Sequence, residues 1–384
     1  MEDVKDTKND NQSPSAHDIQ HHSNASLHEL NIDAYPLPLA QLPPSWELQQ
    51  APVSPNLTEQ RVNAAFMVLC RNSELAKIRR TVRQLEDRFN RRYNYPYVFL
   101  NNEPFTDTFK EQISALTSGN VSFGLVPHKM WSYPPFINQK KAQRLRQEMS
   151  RKQVPYATSE SYRHMCRFFS GMFYDHPLVK DLDYYWRVEP DVQFTCDINY
   201  DPFVYMQRNN LKYSFTIALT EVKGSIPTLW QTVRDFMKDY NHLIPKKNFF
   251  YWLTNDRRAT SYNLCHFWSN FEIASVKWFQ SDAYRTFFEY LDMAGGFFYE
   301  RWGDAPVHSI AAALLLNAKE VHFFEDIGYF HDPFYNCPSM DLQRARGIKC
   351  HCDPAMSFSA KDPKCTRDFL SFQADRPKRS PWDK

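Results

Sequence analysis

From Asn63 to Cys70 the chain is apolar with hardly a break, the pattern of a strand buried on both faces. Arg71-Asn72-Ser73 follows, and Asn72 or Ser73 suits a helix N-cap. Leu75, Ile78, Val82, Leu85 and Phe89 then recur at helical spacing, which predicts an amphipathic helix over about 74–91. The run 97–100 reads as a second strand, 107–117 as a second helix and 121–126 as a third strand. Strands alternating with helices across short links predict a parallel sheet wound with helices. Ligands of such sheets sit beyond the carboxyl ends of the strands.

Further along, 139–153 forms a basic amphipathic helix, with Lys140, Lys141, Arg144, Arg146, Arg151 and Lys152 on a solvated face. Helices are also expected over 159–174, 228–240 and 307–317, and strands over 184–194, 213–219 and 249–253. The glycines at 295 and 296 break a helix and expose Arg301 and Asp304. Residues 1–60 are polar and then Pro-rich, an arm or stem outside the core. Residues 61–338 make one large α/β domain, and 339–384, which lose periodicity, read as a C-terminal tail.

Composition narrows the function. A formal net charge of +2 gives a nucleic-acid partner no global electrostatic support. The 9 glycines form no phosphate loop or dinucleotide fingerprint, so side chains or a metal must hold any nucleotide's phosphates. Eight cysteines permit disulfides, yet Cys70 and Cys265 lie in apolar runs and read as buried thiols. Cys350-His351-Cys352 has no second pair with which to form a zinc site. Sequons at Asn24, Asn56 and Asn120 permit glycosylation in a secretory lumen. No run of about 18 apolar residues is present, so taken literally the chain is soluble and cytosolic.

The candidate chemistry centres on the run from Tyr184 to Phe194. It delivers Glu189 and Asp191 one residue apart, on one face if the backbone stays extended. Two ionised carboxylates about 4 Å apart repel by roughly 4 kcal/mol at an effective dielectric near 20. A shared proton, the neighbouring Arg187 or a divalent cation must relieve that. Glu272, among the aromatics of Tyr262-Asn263-Leu264-Cys265-His266-Phe267-Trp268-Ser269-Asn270-Phe271-Glu272-Ile273, needs a partner or a function if buried. His331 stands beside a turn at Asp332-Pro333.

Glu189-Pro190-Asp191, the run around Glu272 and Arg301-Trp302-Gly303-Asp304-Ala305-Pro306, in this order, resemble the fungal α-1,2-mannosyltransferases of the Kre2/Mnt1 type (glycosyltransferase family 15). The resemblance spans about 63–338. It implies a GT-A fold, with a mixed, mostly parallel sheet flanked by helices, and a manganese ion. It further implies retaining transfer of mannose from a GDP-mannose donor to a mannose-terminated glycan acceptor, on O- or N-linked glycans of cell-wall mannoproteins. By motif, Glu189 and His331 resemble the metal ligands, with Asp191 in or beside the shell. Arg71 resembles a contact to the guanosine diphosphate, and Arg187, Tyr162 and Asp304 donor or acceptor contacts. Glu272 resembles the residue nearest the anomeric carbon, as nucleophile or as stabiliser of same-face attack. Mannosylphosphate transfer and a non-catalytic sugar- or partner-binding relative on the same fold remain as alternatives. The family resides in the Golgi lumen as type II membrane proteins, whereas the opening Met1-Glu2-Asp3-Val4 shows no counterpart of its anchor.

Overall fold

The computed structural model of the protein describes residues 61–373, apart from Arg257 and Pro363. The expected N-terminal arm, and residues 374–384, lie outside the described residues. The apolar run after Asn63 forms β1 (Ala64–Leu69), with Ala65 and Met67 turned to one layer and Ala64, Phe66 and Val68 to the other. That alternation is what a strand covered on both faces requires. The helix after it, α1 (Leu75–Leu85), buries Ile78, Val82 and Leu85, and a π-helical turn carries it on through Asn90. β2 (Tyr97–Asn101), α2 (Asp107–Ser114) and β3 (Val121–Leu125) follow as the pattern predicts.

The basic segment forms α3 (Gln139–Arg151), and Ser159 caps α4 (Glu160–Gly171) through a hydrogen bond from Tyr162 N–H. β4 (Tyr184–Arg187) then adds beside β1, giving a five-stranded sheet in the order β3-β2-β1-β4-β9, where β9 is Glu272–Ser275. The first three pairings are parallel, and β4 with β9 is antiparallel. Because β9 runs against β4, Glu272 at its start pairs with Arg187 at the end of β4. The outermost strand therefore returns an acid to the carboxyl end of the parallel strands.

Smaller sheets surround this one, and several depart from expectation. The predicted strand over 184–194 breaks after Arg187, and β5 (Gln193–Phe194) joins a separate sheet with β11 (Tyr329–His331) and β12 (Phe334–Asn336). The run 213–219 is two strands: β6 (Tyr213–Phe215) pairs with β10 (Val321–Phe323), and β7 (Ala218–Thr220) pairs with β8 (Cys265–Phe267). The aromatic run at 249–253 is a 3-10 turn, Phe250–Leu253, which buries Phe250, Trp252 and Leu253 and leaves Tyr251 exposed. Helices α5 (Leu229–Asp239), α6 (Asp282–Ala294) and α7 (Asp304–Leu315) cover the second half.

The segment expected to trail off after 338 is instead fastened to the domain. It forms α8 (Met340–Arg346) and α9 (Lys364–Ser371), and Phe369 is fully buried against Phe215, Trp252 and Phe267. Disulfides Cys196–Cys350, Cys265–Cys365 and Cys337–Cys352 hold it there. Cys265 is thus a disulfide partner and not a free thiol, while Cys70 and Cys166 are buried thiols. Cys196, Cys350 and Cys352 bring their sulfurs together, but all three are already engaged in disulfides. Replacing both Cys265 and Cys365 by alanine is expected to cost about 2–5 kcal/mol of stability, read as a lower denaturation midpoint. An unchanged midpoint would mean that burial of Phe369 alone secures α9.

Candidate active site

β4 sends alternate side chains to opposite layers, Tyr184 and Trp186 to the α1 side and Tyr185 to the side of α4 and α7. Arg187 follows Tyr185 and lies 3.6 Å over the ring of Phe169. Its Nη1 donates to Asp304 Oδ2 at 2.5 Å, and its Nη2 to the carboxylate of Glu189. Its Nε is buried without a partner. Burial opposes the charge on this guanidinium, but the carboxylates of Glu189, Asp304 and Glu272 outweigh it and hold the pKa well above the ordinary value. Burial likewise pushes Asp304 up, and Arg187 with His308 and Ser269 brings it below the usual carboxylate range. Arg301 and Asp304, expected to be exposed after the glycine break, are both buried.

β11 pairs Phe330 with Gln193, so the next residue, His331, arrives beside the end of β4. His331 Nε2 and Glu189 Oε2 face each other at 3.7 Å, with the two side chains 30% and 26% exposed. The other ring nitrogen, Nδ1, lies 3.2 Å from the carbonyl of Asp332. A carbonyl only accepts, so Nδ1 donates there and Nε2 is the ring nitrogen turned to Glu189. The ring is backed by Trp268 at 4.8 Å. A carboxylate oxygen and an imidazole nitrogen face to face in a half-open corner are a donor set that suits a shared cation, and a metal-binding histidine characteristically donates its remote N–H in this way.

Asp191 does not join them. Its backbone is left-handed, with φ at 69°, so the extended geometry that would align it with Glu189 is lost. Its carboxylate, 42% exposed, pairs instead with Lys77 at 2.6 Å and Arg80 at 2.8 Å on α1. The hydrogen bond and charge of Lys77, with those of Arg80, hold it below its ordinary pKa. Among the described residues, no group of three ligand atoms unites Glu189, Asp191 and His331. Exposed ion pairs of this kind contribute little, so Asp191→Asn is expected to leave kcat/KM within about threefold of wild type in a steady-state assay. A loss as large as that of a Glu189 substitution would give Asp191 a part in the reaction.

Glu272 is fully buried and has three donors. Tyr185 Oη donates to Oε1 at 2.5 Å, Tyr213 Oη to Oε2 at 2.8 Å, and His308 Nδ1 meets Oε2 at 2.9 Å. His308 Nε2 donates to the carbonyl of Phe169 at 2.8 Å, and with Nδ1 also donating the ring is an imidazolium. Burial lowers the His308 pKa, but the Glu272 charge more than compensates and the net shift is upward. A carboxylate offers about four acceptor positions, so roughly one, on Oε1, is left. His308 was not singled out in the sequence. It lies inside α7, whose remaining side chains are nearly all buried, and the only signal was an ionisable residue inside a predominantly apolar helix.

The remaining candidates flank this cluster. Arg71 lies just past β1 and its Nη2 reaches Ser161 Oγ on α4 at 2.5 Å. Next to Ser161, Tyr162 accepts at its hydroxyl from Arg301 Nη1 at 3.1 Å, and burial raises its pKa well above the ordinary value. Arg301 also pairs with Glu221 at 3.0 Å, a contact that spacing along the chain did not reveal. On the same helix, Met165 approaches Arg187 Nη2 at 3.9 Å. Arg187, Glu189, Asp304 and His331 thus meet at the carboxyl end of β4, with Arg71 and Tyr162 making contacts on or from α4, Glu272 buried opposite Arg187 and Asp191 turned away.

The chain has extensive relatives. The sequence profile of the glycolipid 2-alpha-mannosyltransferase family matches residues 12–374. The chain is 47% identical to glycolipid 2-alpha-mannosyltransferase 1 of Candida albicans over 91% of its own length and 78% of that protein's. It is 49% identical to alpha-1,2 mannosyltransferase KTR1 of Saccharomyces cerevisiae, over 85% and 83%. Among solved structures, core-mannan synthase A of Aspergillus fumigatus in its Mn/GDP form superposes with a TM-score of 0.76 at 40% identity, covering 83% of this chain and 87% of that one. Mannosyltransferase Ktr4p of S. cerevisiae in complex with GDP gives 0.77 at 36%, covering 82% and 83%.

Proposed function

The chain belongs to the glycolipid 2-alpha-mannosyltransferase family and is a glycosyltransferase, and from this premise we propose that it transfers mannose from GDP-mannose to a mannose hydroxyl, forming an α-1,2 linkage with retention. The single observation that carries the reading is the facing of Glu189 Oε2 and His331 Nε2 at the carboxyl end of the parallel strands. An oxygen and an imidazole ligand suit manganese better than calcium. Glu189 and His331 would hold such an ion, which when bound stabilises charge on the departing diphosphate.

The chain's own residues have distinct tasks in this reading. Arg187 fixes the Glu189 carboxylate and anchors it to Asp304 and Ser269, so the corner is built before any ligand arrives. Arg71, exposed beyond β1, is placed to add positive charge near the diphosphate. Tyr162 and Asp304 contribute to the donor or acceptor wall. Glu272 supplies a fixed negative charge for the oxocarbenium-like sugar. Its three donors leave it poorly suited to bond a carbon, which favours same-face attack over a covalent mannosyl-enzyme. The three disulfides are those of a protein matured in an oxidising compartment, and support residence in the Golgi lumen with O- or N-linked glycans as acceptors. Among the described residues no helix is long and apolar enough to cross a membrane.

Purified protein supplied with GDP-mannose, manganese and methyl α-mannoside is expected to yield an α-1,2-linked dimannoside, identified by NMR, with no product in EDTA. Transfer of mannosylphosphate, a β linkage, or full activity in EDTA would overturn the corresponding part of the proposal.

A further inference from the structure

Tyr156 stands out in the link between α3 and α4. Its backbone is left-handed, with φ at 57°, a region that bulky side chains rarely occupy. Yet the residue is 64% exposed, so little burial of the side chain compensates for that conformation. The link is nonetheless firmly held. Val154 and Ala157 are buried with Met149 in a small cluster of their own, and the Tyr156 carbonyl accepts from Ser159 N–H at 3.1 Å and from Arg163 Nη1 at 3.4 Å. Arg163 itself is buried, and it also donates to the carbonyls of Ser159 and Glu300. A rigid loop thus holds an aromatic ring in water at some conformational expense, a combination that tends to mark a ligand contact.

The position of the ring identifies the ligand. Tyr156 stacks on Tyr162 with centroids 4.6 Å apart and planes within 5°, so one face is covered and the other is open. Tyr162 is one helical turn from Met165, which approaches Arg187, and its hydroxyl accepts from Arg301, so Tyr156 lies at the outer edge of the candidate site. The diphosphate is expected at the strand ends near Arg71 and Glu189, whereas Tyr156 sits on the helical layer on the far side of Tyr162. An exposed aromatic face suits the C–H face of a sugar ring and not a phosphate, and this one adjoins Tyr162.

We propose that the open face of Tyr156 is an acceptor subsite, on which the apolar C–H face of a mannopyranose ring packs. This rests on the mannosyltransferase reading, so the deciding measurement does not depend on turnover. Saturation-transfer NMR on methyl α-mannoside, with the full chain and GDP-manganese present, is expected to show saturated ring protons with wild type. Tyr156→Ala, checked for an unchanged Tm, should weaken the acceptor by about tenfold, and Tyr156→Trp should restore it to within about twofold. In steady-state kinetics the same loss should fall on the acceptor KM, with donor KM and donor hydrolysis unchanged. Equal saturation by wild type and Tyr156→Ala, no saturation by wild type, or a rise in donor KM instead would each overturn the subsite. A saturating mannoside with no transferred mannose would overturn the catalytic reading and leave the subsite standing.

Discussion

Replacing Glu189 by glutamine is expected to lower kcat/KM for mannosyl transfer by at least about 10²–10³-fold while the protein stays folded. The substitution removes the carboxylate that faces His331 and leaves its volume nearly unchanged. It also removes one of the two carboxylates that engage Arg187, but Asp304 still accepts from that guanidinium. Because the Glu189 side chain is only partly buried, the loss of activity should far exceed the change in Tm. His331→Ala should behave alike, and excess manganese should restore part of the activity in either variant if ligand loss is the cause. Activity within about threefold of wild type in both variants would mean that the corner holds no functional ion.

The second large effect is at Glu272. Glu272→Gln sets an amide N–H₂ among three donors, Tyr185, Tyr213 and His308, and leaves the imidazolium without its counter-charge. Removing one partner of a buried pair costs about 3–5 kcal/mol, so a Tm decrease of roughly 6 °C or more is expected. Activity should be lost as well, and survival within about threefold would remove Glu272 from the mechanism. The pair also has a pH signature. The folded pKa of His308 is raised, so its contribution is complete below the ordinary imidazole value near about 6.5 and is lost as pH rises through the folded value. The groups that face it are Glu272 and Asp304, with Tyr213 and Tyr284 packed around the ring. Denaturation midpoints of the wild type should therefore fall on the alkaline side, and His308→Gln should flatten that fall. A wild-type midpoint that rises through this range would contradict the ion pair.

The sequence pattern disclosed β1 and β2 because both faces of those strands are covered and their runs are almost wholly apolar, and the alternation with helices placed the half-buried edge strand β3 beside them. Glu189, Glu272 and His331 were also visible, as polar residues inside aromatic or turn contexts that required partners. Asp191 misled because alternation along a strand holds only while the backbone is extended, and the chain leaves that conformation after Pro190. The run 213–219 misled for a related reason: it feeds two sheets, and a bend between strands has no hydrophobic signature. The C-terminal segment looked like a tail because its order comes from disulfides to Cys196, Cys265 and Cys337 more than from periodicity. The pairing of cysteines 154 and 100 residues apart is not a local property of the chain. His308 was concealed by the apolar helix around it, and only its contact with Glu272 distinguishes it from a core histidine.

The central claim is that Glu189 and His331 together hold a divalent ion needed to bind the nucleotide. Titration of GDP into the wild-type chain by calorimetry, with manganese and again with EDTA, tests it most directly. The account predicts that manganese tightens GDP by about tenfold or more, a coupling of about 1.4 kcal/mol, and that His331→Ala abolishes the difference. Equal affinity with and without manganese in the wild type, or an undiminished manganese effect in His331→Ala, would contradict it.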